Sequence, residues 1–249
     1  MTMSTTAIQL RMTRLAHGFA GAALICSSLH ASAGTFSVSP VRIYMQSRER
    51  ATAVTVINEG DTELVMQAEL FEWKQKTDGT DELTPTEDLI LAPPILKLAP
   101  RSQQVLRLAN LKPVPPGEQL TYRMIVREIP EAVQPGEGVQ IQVALAFSLP
   151  VFITPPGAKQ RLACEATRKA AGIIVASCEN SGQAYAQPVT FVLRGPSGDI
   201  LTSQEVSGGY ILPNAHRQFE LKSGVVGPST LAVTQDDGSV QSFHVILAD

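Results

Sequence analysis

The stretch VQIQVALAFSLPVFI, residues 139–153, decides how this chain is read. Val139, Ile141, Val143, Leu145, Phe147, Leu149, Val151 and Ile153 hold every odd position, while Gln140, Gln142, Ala144, Ala146 and Ser148 fill the even positions before Pro150. Successive side chains of a β-strand point to opposite faces, so this alternation predicts one long strand with a single apolar face. Most strands run about five to six residues. At ~3.3 Å per residue this one would reach about 50 Å, more than one small sandwich uses. A long one-sided edge strand invites pairing by another chain. The plain alternative is a core strand beside a domain junction; the functional reading is a strand lent to a partner that lacks one of its own.

The same period of two continues outward on both sides. Before the stretch, strands are expected at 35–38 with 41–44, 51–58, 64–73, 89–91, 103–108 and 120–128, with Asp78-Gly79 as a turn signal. After Thr154-Pro155-Pro156-Gly157 the pattern restarts at 160–166, 173–179, 188–194, 200–206, 217–221, 231–234 and 240–247. No segment shows a convincing helical period. About seven strands on each side of a Pro-Pro-Gly break predict an all-β chain of two immunoglobulin-like β-sandwich domains, residues 34–154 and 155–249.

The N-terminus sets the compartment. Arg11 and Arg14 precede an apolar run from Leu15 to Leu29, and Ala31-Ser32-Ala33 supplies a small-x-small cleavage pattern, so residues 1–33 read as a signal peptide. That run is shorter than the roughly 20 residues needed to cross a bilayer, and no later stretch approaches this length. The expectation is an exported chain without stable membrane insertion. Cys26 raises lipid attachment as a rival, but Leu24 and Ile25 are bulky for such a cut. Removing Arg11 and Arg14 makes a formal charge of −3 more negative still, which argues against a nucleic-acid partner. A hydrophobic content of 44% is enough for a packed core.

Outside the leader only Cys164 and Cys178 remain, on two strands expected to face each other across a turn near 168–172. An oxidising compartment favours a disulfide between them over two buried thiols. Among histidines only His216 and His244 remain, so no metal site and no cofactor is expected. Gly195-Pro196-Ser197-Gly198 is not the G-x-S-x-G nucleophile turn and reads as a hairpin, and Asp78, Thr80 and Glu82 do not complete a calcium loop. Nothing here suggests an enzyme.

Further motifs join these patterns. Tyr122-Arg123-Met124-Ile125-Val126-Arg127-Glu128-Ile129-Pro130 is a strand ending in R-E-I-P; Ser39-Pro40-Val41-Arg42 lies near the start, Asn58 follows the second strand, and Phe152 and Pro155 close the alternating stretch. In this order they resemble the periplasmic chaperones of pilus and fimbria assembly in chaperone–usher systems, over nearly the whole exported chain. A short connection at 131–138 and the Tyr122-Arg123 pair resemble the archaic, spore-coat-U-associated branch.

The resemblance implies two immunoglobulin-like domains in a boomerang, located in the periplasm. They would complete an unfinished pilin-like subunit by donor-strand complementation and deliver it to an outer-membrane usher. It assigns the donor face to Ile141, Val143 and Leu145, extended by Val139 and Phe147. It also implies that two cations hold the subunit's C-terminal carboxylate. Arg42 matches the first, but Pro150 stands where the family carries a lysine, and Arg123 on the adjoining strand is the candidate replacement. Thr154 likewise stands where an interdomain arginine is usual, so the hinge is expected to be held differently. The alternative is an exported two-domain adhesin or carbohydrate-binding protein. Clustered aromatics would mark it, and only Trp73 stands out. A pilus subunit would be one incomplete domain with a donor extension.

Overall fold

A computed structural model of the chain describes residues 36–130, 143–207 and 209–248. The expected signal peptide at 1–33, and Val139 and Ile141 of the expected donor face, lie outside the described residues. Within them every strand or helix assigned is a strand, as the period of two requires.

Ten strands precede Pro155: β1 (Phe36–Ser39), β2 (Ile43–Gln46), β3 (Ala51–Asn58), β4 (Leu64–Gln75), β5 (Asp81–Pro85), β6 (Leu89–Ala92), β7 (Ile95–Leu98), β8 (Gln103–Asn110), β9 (Leu120–Glu128) and β10 (Ala146–Thr154). They form one sheet in the order β1-β3-β8-β6 and a second in the order β2-β10-β9-β4-β5, with β7 also on β4. Val54 and Val56 of β3 and Leu106 and Leu108 of β8 face Met66 of β4, Met124 and Val126 of β9, and Val151 and Ile153 of β10 in one buried cluster. Two strands more than the pattern indicated come from β5 and β7. All five residues of β5 are exposed, so burial imposes no alternation on it, and four residues are too few for β7 to show a period.

Seven strands follow: β11 (Leu162–Ala170), β12 (Ile173–Asn180), β13 (Pro188–Arg194), β14 (Ile200–Glu205), β15 (Ala215–Lys222), β16 (Gly227–Gln235) and β17 (Val240–Leu247). The sheet β11-β12-β15 covers the sheet β14-β13-β16-β17. Cys164 and Cys178 are register partners across β11 and β12 and form a disulfide. The described strands give no pairing between one sandwich and the other.

Each sandwich uses a buried asparagine where an inner strand ends. Asn58 donates to Thr62 O at 2.8 Å and Ala99 O at 3.1 Å and accepts from the Gly60 N–H at 2.9 Å. Asn180 donates to Ala184 O at 2.8 Å and Ile211 O at 3.0 Å and accepts from the Gly182 N–H at 3.0 Å. Both side chains replace strand hydrogen bonds that stop at these corners, which is why a polar group tolerates full burial there.

The alternating stretch differs from its expected form at both ends. Among the described residues its strand begins at Ala146 and residues 143–145 belong to no strand, while 139–142 of the expected strand lie outside the described residues. The reason is the neighbour. Register with β9 runs out at the Ala146–Arg127 pair, the Glu128 N–H bonds Leu145 O at 2.9 Å, and Ile129 then turns its N–H to Val65 O at 2.8 Å. Beyond that point β9 offers no further ladder. At the other end the strand is buried on both faces from Leu149 to Ile153, with Phe152 packed into the core of the second sandwich.

Candidate functional site at the junction of the sandwiches

β10 carries the site. It lies between β2, which runs parallel to it, and β9, which runs antiparallel. Arg123 of β9 is the register partner of Pro150. On the other flank the parallel register starts with Val151 opposite Ile43, and Arg42 lies in the bend one residue before it. Because β2 pairing begins only at Val151, Pro150 interrupts no bond of that ladder.

The two guanidiniums have different surroundings. Arg42 Nη1 donates to Asp236 Oδ2 of the second sandwich at 2.6 Å. Burial, the largest influence, works against its charge, but hydrogen bonding with Tyr44, the phenols of Tyr210 and Tyr44, and the Asp236 carboxylate together hold Arg42 above its ordinary value. Arg123 lies over the Trp73 ring, its guanidinium carbon 3.7 Å from the centroid, and donates to Ser148 O at a long 3.4 Å. Among the described residues it has no carboxylate within ion-pair distance. Burial therefore pulls its proton affinity down, with Asp81 offsetting part and Arg217 adding to the fall. A guanidinium remains charged at any working pH all the same. The indole face, with no ion-paired carboxylate, covers this cation.

An aromatic cluster fixes both. Phe152 stacks on Tyr185 at 4.1 Å and packs against Tyr44 and Trp73, and Tyr210 stands edge-on to Trp73 at 5.4 Å. Trp73 and Phe152 belong to the core of the second sandwich although β4 and β10 belong to the first. The hydroxyls of Tyr44 and Tyr185 are 2.8 Å apart, and Tyr185 donates to Asp236 Oδ2 at 3.1 Å. Burial, followed by the bond with Tyr44, pushes the Tyr185 phenol up, so it stays a donor to that carboxylate.

Amide side chains tie the junction where Thr154 replaces the expected arginine. Gln119 donates to Thr154 Oγ1 at 2.7 Å and accepts from the Tyr185 N–H at 2.9 Å, while its own N–H bonds Gln183 O at 3.0 Å. Gln75 donates to Tyr210 O at 3.0 Å and accepts from the Leu212 N–H at 2.9 Å. The β4–β5 turn also touches the second sandwich: Gly79 has φ of +81°, and a Cβ there would lie 2.5 Å from His216 O.

The expected donor-face residues that are described separate into two kinds. Val143 is 62% exposed and Leu145 38% exposed. Phe147 is half-buried and meets Phe36 edge to face at 5.0 Å, so the start of β10 already belongs to the first core and the freely presented part ends before it. The patterns in the sequence pointed to neither Asp236 nor Tyr185 nor Tyr210. One signal was available: the chain has four tyrosines and one tryptophan, and Tyr44, Tyr185, Tyr210 and Trp73 meet at this junction. Among the described residues no group of His, Cys, Asp and Glu could hold a metal ion, and no helix is long and apolar enough to cross a membrane.

Two β-sandwiches thus meet at a cationic, aromatic junction, with an exposed apolar segment leading from it. Residues 35–159 match the family described as pili and flagellar-assembly chaperone, PapD N-terminal domain. The chain belongs to this family, which is one of chaperones and not of enzymes. It is 27% identical over 129 residues to the probable fimbrial chaperone LpfB of Escherichia coli O157:H7, covering 51% of this chain and 53% of that protein. It is 28% identical over 153 residues to the chaperone protein FimB/FhaD of Bordetella pertussis, covering 58% and 60%. The chain thus spans about half the length of the curated relatives it matches. Its fold is similar to a chain of the chaperone–tip adhesion subunit pre-assembly complex from the archaic chaperone–usher Csu pili of Acinetobacter baumannii, with a TM-score of 0.64 at 22% identity, covering 87% of this chain and 100% of that one.

Proposed function

We propose that this chain is a periplasmic chaperone that stabilises pilin-like subunits by lending them a strand and passes them to an outer-membrane usher for pilus assembly. Residues 34–154 form the strand-lending domain in this reading, 155–249 the second domain, and 1–33 the signal removed on export. Val139, Ile141, Val143 and Leu145 supply the donor face, with Phe147 at its root. Arg42 and Arg123 hold the subunit's C-terminal carboxylate.

The observation that carries this reading is that Arg123, the register partner of Pro150, and Arg42, just before β2, lie on the two flanks of β10, the strand into which the exposed Val143–Leu145 segment leads. Burying an aliphatic side chain such as Val143 or Leu145 in a client groove contributes up to about 1.5–3 kcal/mol, part of which offsets the cost of ordering the segment. Main-chain bonds set the register, and an anion at the arginines fixes where the client strand ends. The adhesin alternative is not favoured: Trp73, Phe152 and Tyr210 are packed between the sandwiches and offer no open platform for a sugar ring.

The test is co-expression with a pilin-like subunit encoded beside this chain's gene. The native chain should bring the subunit through purification, and Val143→Asp or Leu145→Asp should lose it while melting at the native temperature. Equal recovery with these variants would rule out strand lending through this face.

A further inference from the structure

Both arginines of the site face one tyrosine. The guanidinium carbon of Arg123 is 5.5 Å, and that of Arg42 6.0 Å, from the ring centroid of Tyr210. The ring cannot turn away freely. It is 9% exposed, edge-on to Trp73, 5.7 Å from Phe152 and 5.5 Å from Tyr185. Its backbone is held as well, since Tyr210 O accepts from Gln75 at 3.0 Å and from Arg217 at 3.5 Å.

Its hydroxyl differs from those of its neighbours. Tyr44 and Tyr185 bond each other, and Tyr185 bonds Asp236, whereas among the described residues the Tyr210 hydroxyl has no protein hydrogen-bond partner. The groups acting on it are Arg42, Arg123, Tyr44 and Asp236. Burial, the dominant influence, pushes its proton affinity up, so it remains a donor across the working pH range. A fixed phenol donor flanked by two cations lacks one thing: an anionic acceptor. A carboxylate has about four lone-pair directions over two oxygens, enough to accept from a guanidinium and a phenol together.

We infer that Tyr210 is a third contact of the client's terminal carboxylate, its hydroxyl donating to one oxygen while Arg123 takes the other. This rests on the reading of the junction as a carboxylate anchor. It places a contact from the second sandwich on the client, so recognition of the chain end draws on both sandwiches and not on the strand-lending one alone. It also makes the site selective for an ionised chain end, because a hydrogen bond to a charged acceptor is worth more than one to a neutral amide oxygen.

The experiment compares two peptides copying the C-terminal strand of the same subunit, one ending in a free carboxylate and one in an amide. Tyr210→Phe preserves the ring packing and removes only the hydroxyl. The ratio of affinities for carboxylate over amide should fall about tenfold in this variant. Because the ratio is taken within one protein, a stability cost that weakens both peptides cancels. An unchanged ratio in Tyr210→Phe alongside a collapsed ratio in Arg123→Ala would remove Tyr210 and leave the anchor standing. A native chain that binds both peptides equally, or binds neither, would overturn the anchor and Tyr210 together.

Discussion

The two ends of one alternating stretch have opposite surroundings. From Val143 to Leu145 the apolar residues are exposed and the backbone belongs to no strand, whereas from Leu149 to Ile153 every side chain is buried. The sequence pattern at odd positions is the same at both ends. What differs is the number of neighbours: β9 has no ladder left for the first end, while the second is paired with β9 throughout and with β2 from Val151, and packs into a core on each side. Alternation specifies which side chains share a face. It does not specify what covers that face, which another element or another molecule must supply.

The closed end can be broken most severely at Phe152. It is fully buried among Tyr44, Trp73, Tyr185 and Tyr210, so Phe152→Ala should cost about 3–5 kcal/mol in denaturant unfolding. The open-end variants at Val143 and Leu145 should cost almost nothing in the same assay. A Phe152→Ala chain that unfolds at the native midpoint would mean that the junction is not a packed core. Gly79→Ala comes next. Its positive φ is a conformation that alanine resists, and the added methyl meets the His216 carbonyl, so about 1–3 kcal/mol of destabilisation is expected. A fully native melting temperature would show that the turn does not press on the second sandwich.

The smallest effect tests the first core away from the junction. Asp88 Oδ2 accepts from Lys112 at 2.8 Å and from the Tyr122 hydroxyl at 3.0 Å. Burial works against its charge, but the bonds from Lys112 and Tyr122 outweigh it and hold the carboxyl below its usual range. The resulting stability is fully present above the unfolded-state value near pH 4 and is lost as pH falls through the lower folded value. Asp88→Asn should remove that part of the acid dependence, worth under about 1 kcal/mol because the pair is half open to solvent. Identical acid melting curves for the two chains would assign the dependence elsewhere.

Much of the second sandwich was legible because its strands are continuous runs bounded by turn residues; 173–179, 188–194 and 240–247 differ by at most one residue from β12, β13 and β17. Strands β5 and β7 were not, since an exposed strand and a four-residue strand leave no period to detect. At the site, Arg42 and Arg123 were legible through local motifs that surround them. Asp236 lies 194 positions from its arginine partner, and Tyr210 lies in an irregular segment between β14 and β15. Such pairings arise from tertiary approach of two sandwiches, and no local spacing encodes them.

The Arg42–Asp236 bond has a consequence for any anion that reaches the junction. Arg42 already shares its charge with a carboxylate of the chain itself, bonded through Nη1, so an incoming carboxylate meets a cation that is partly neutralised. The coupling between the two acceptors is subtracted from what the newcomer gains. By reciprocity, a newcomer that binds weakens one tie between the sandwiches by the same amount. Arg123, with no such partner among the described residues, carries no such coupling. Two like charges therefore act in different thermodynamic roles: one binds in competition with an existing bond, the other does not.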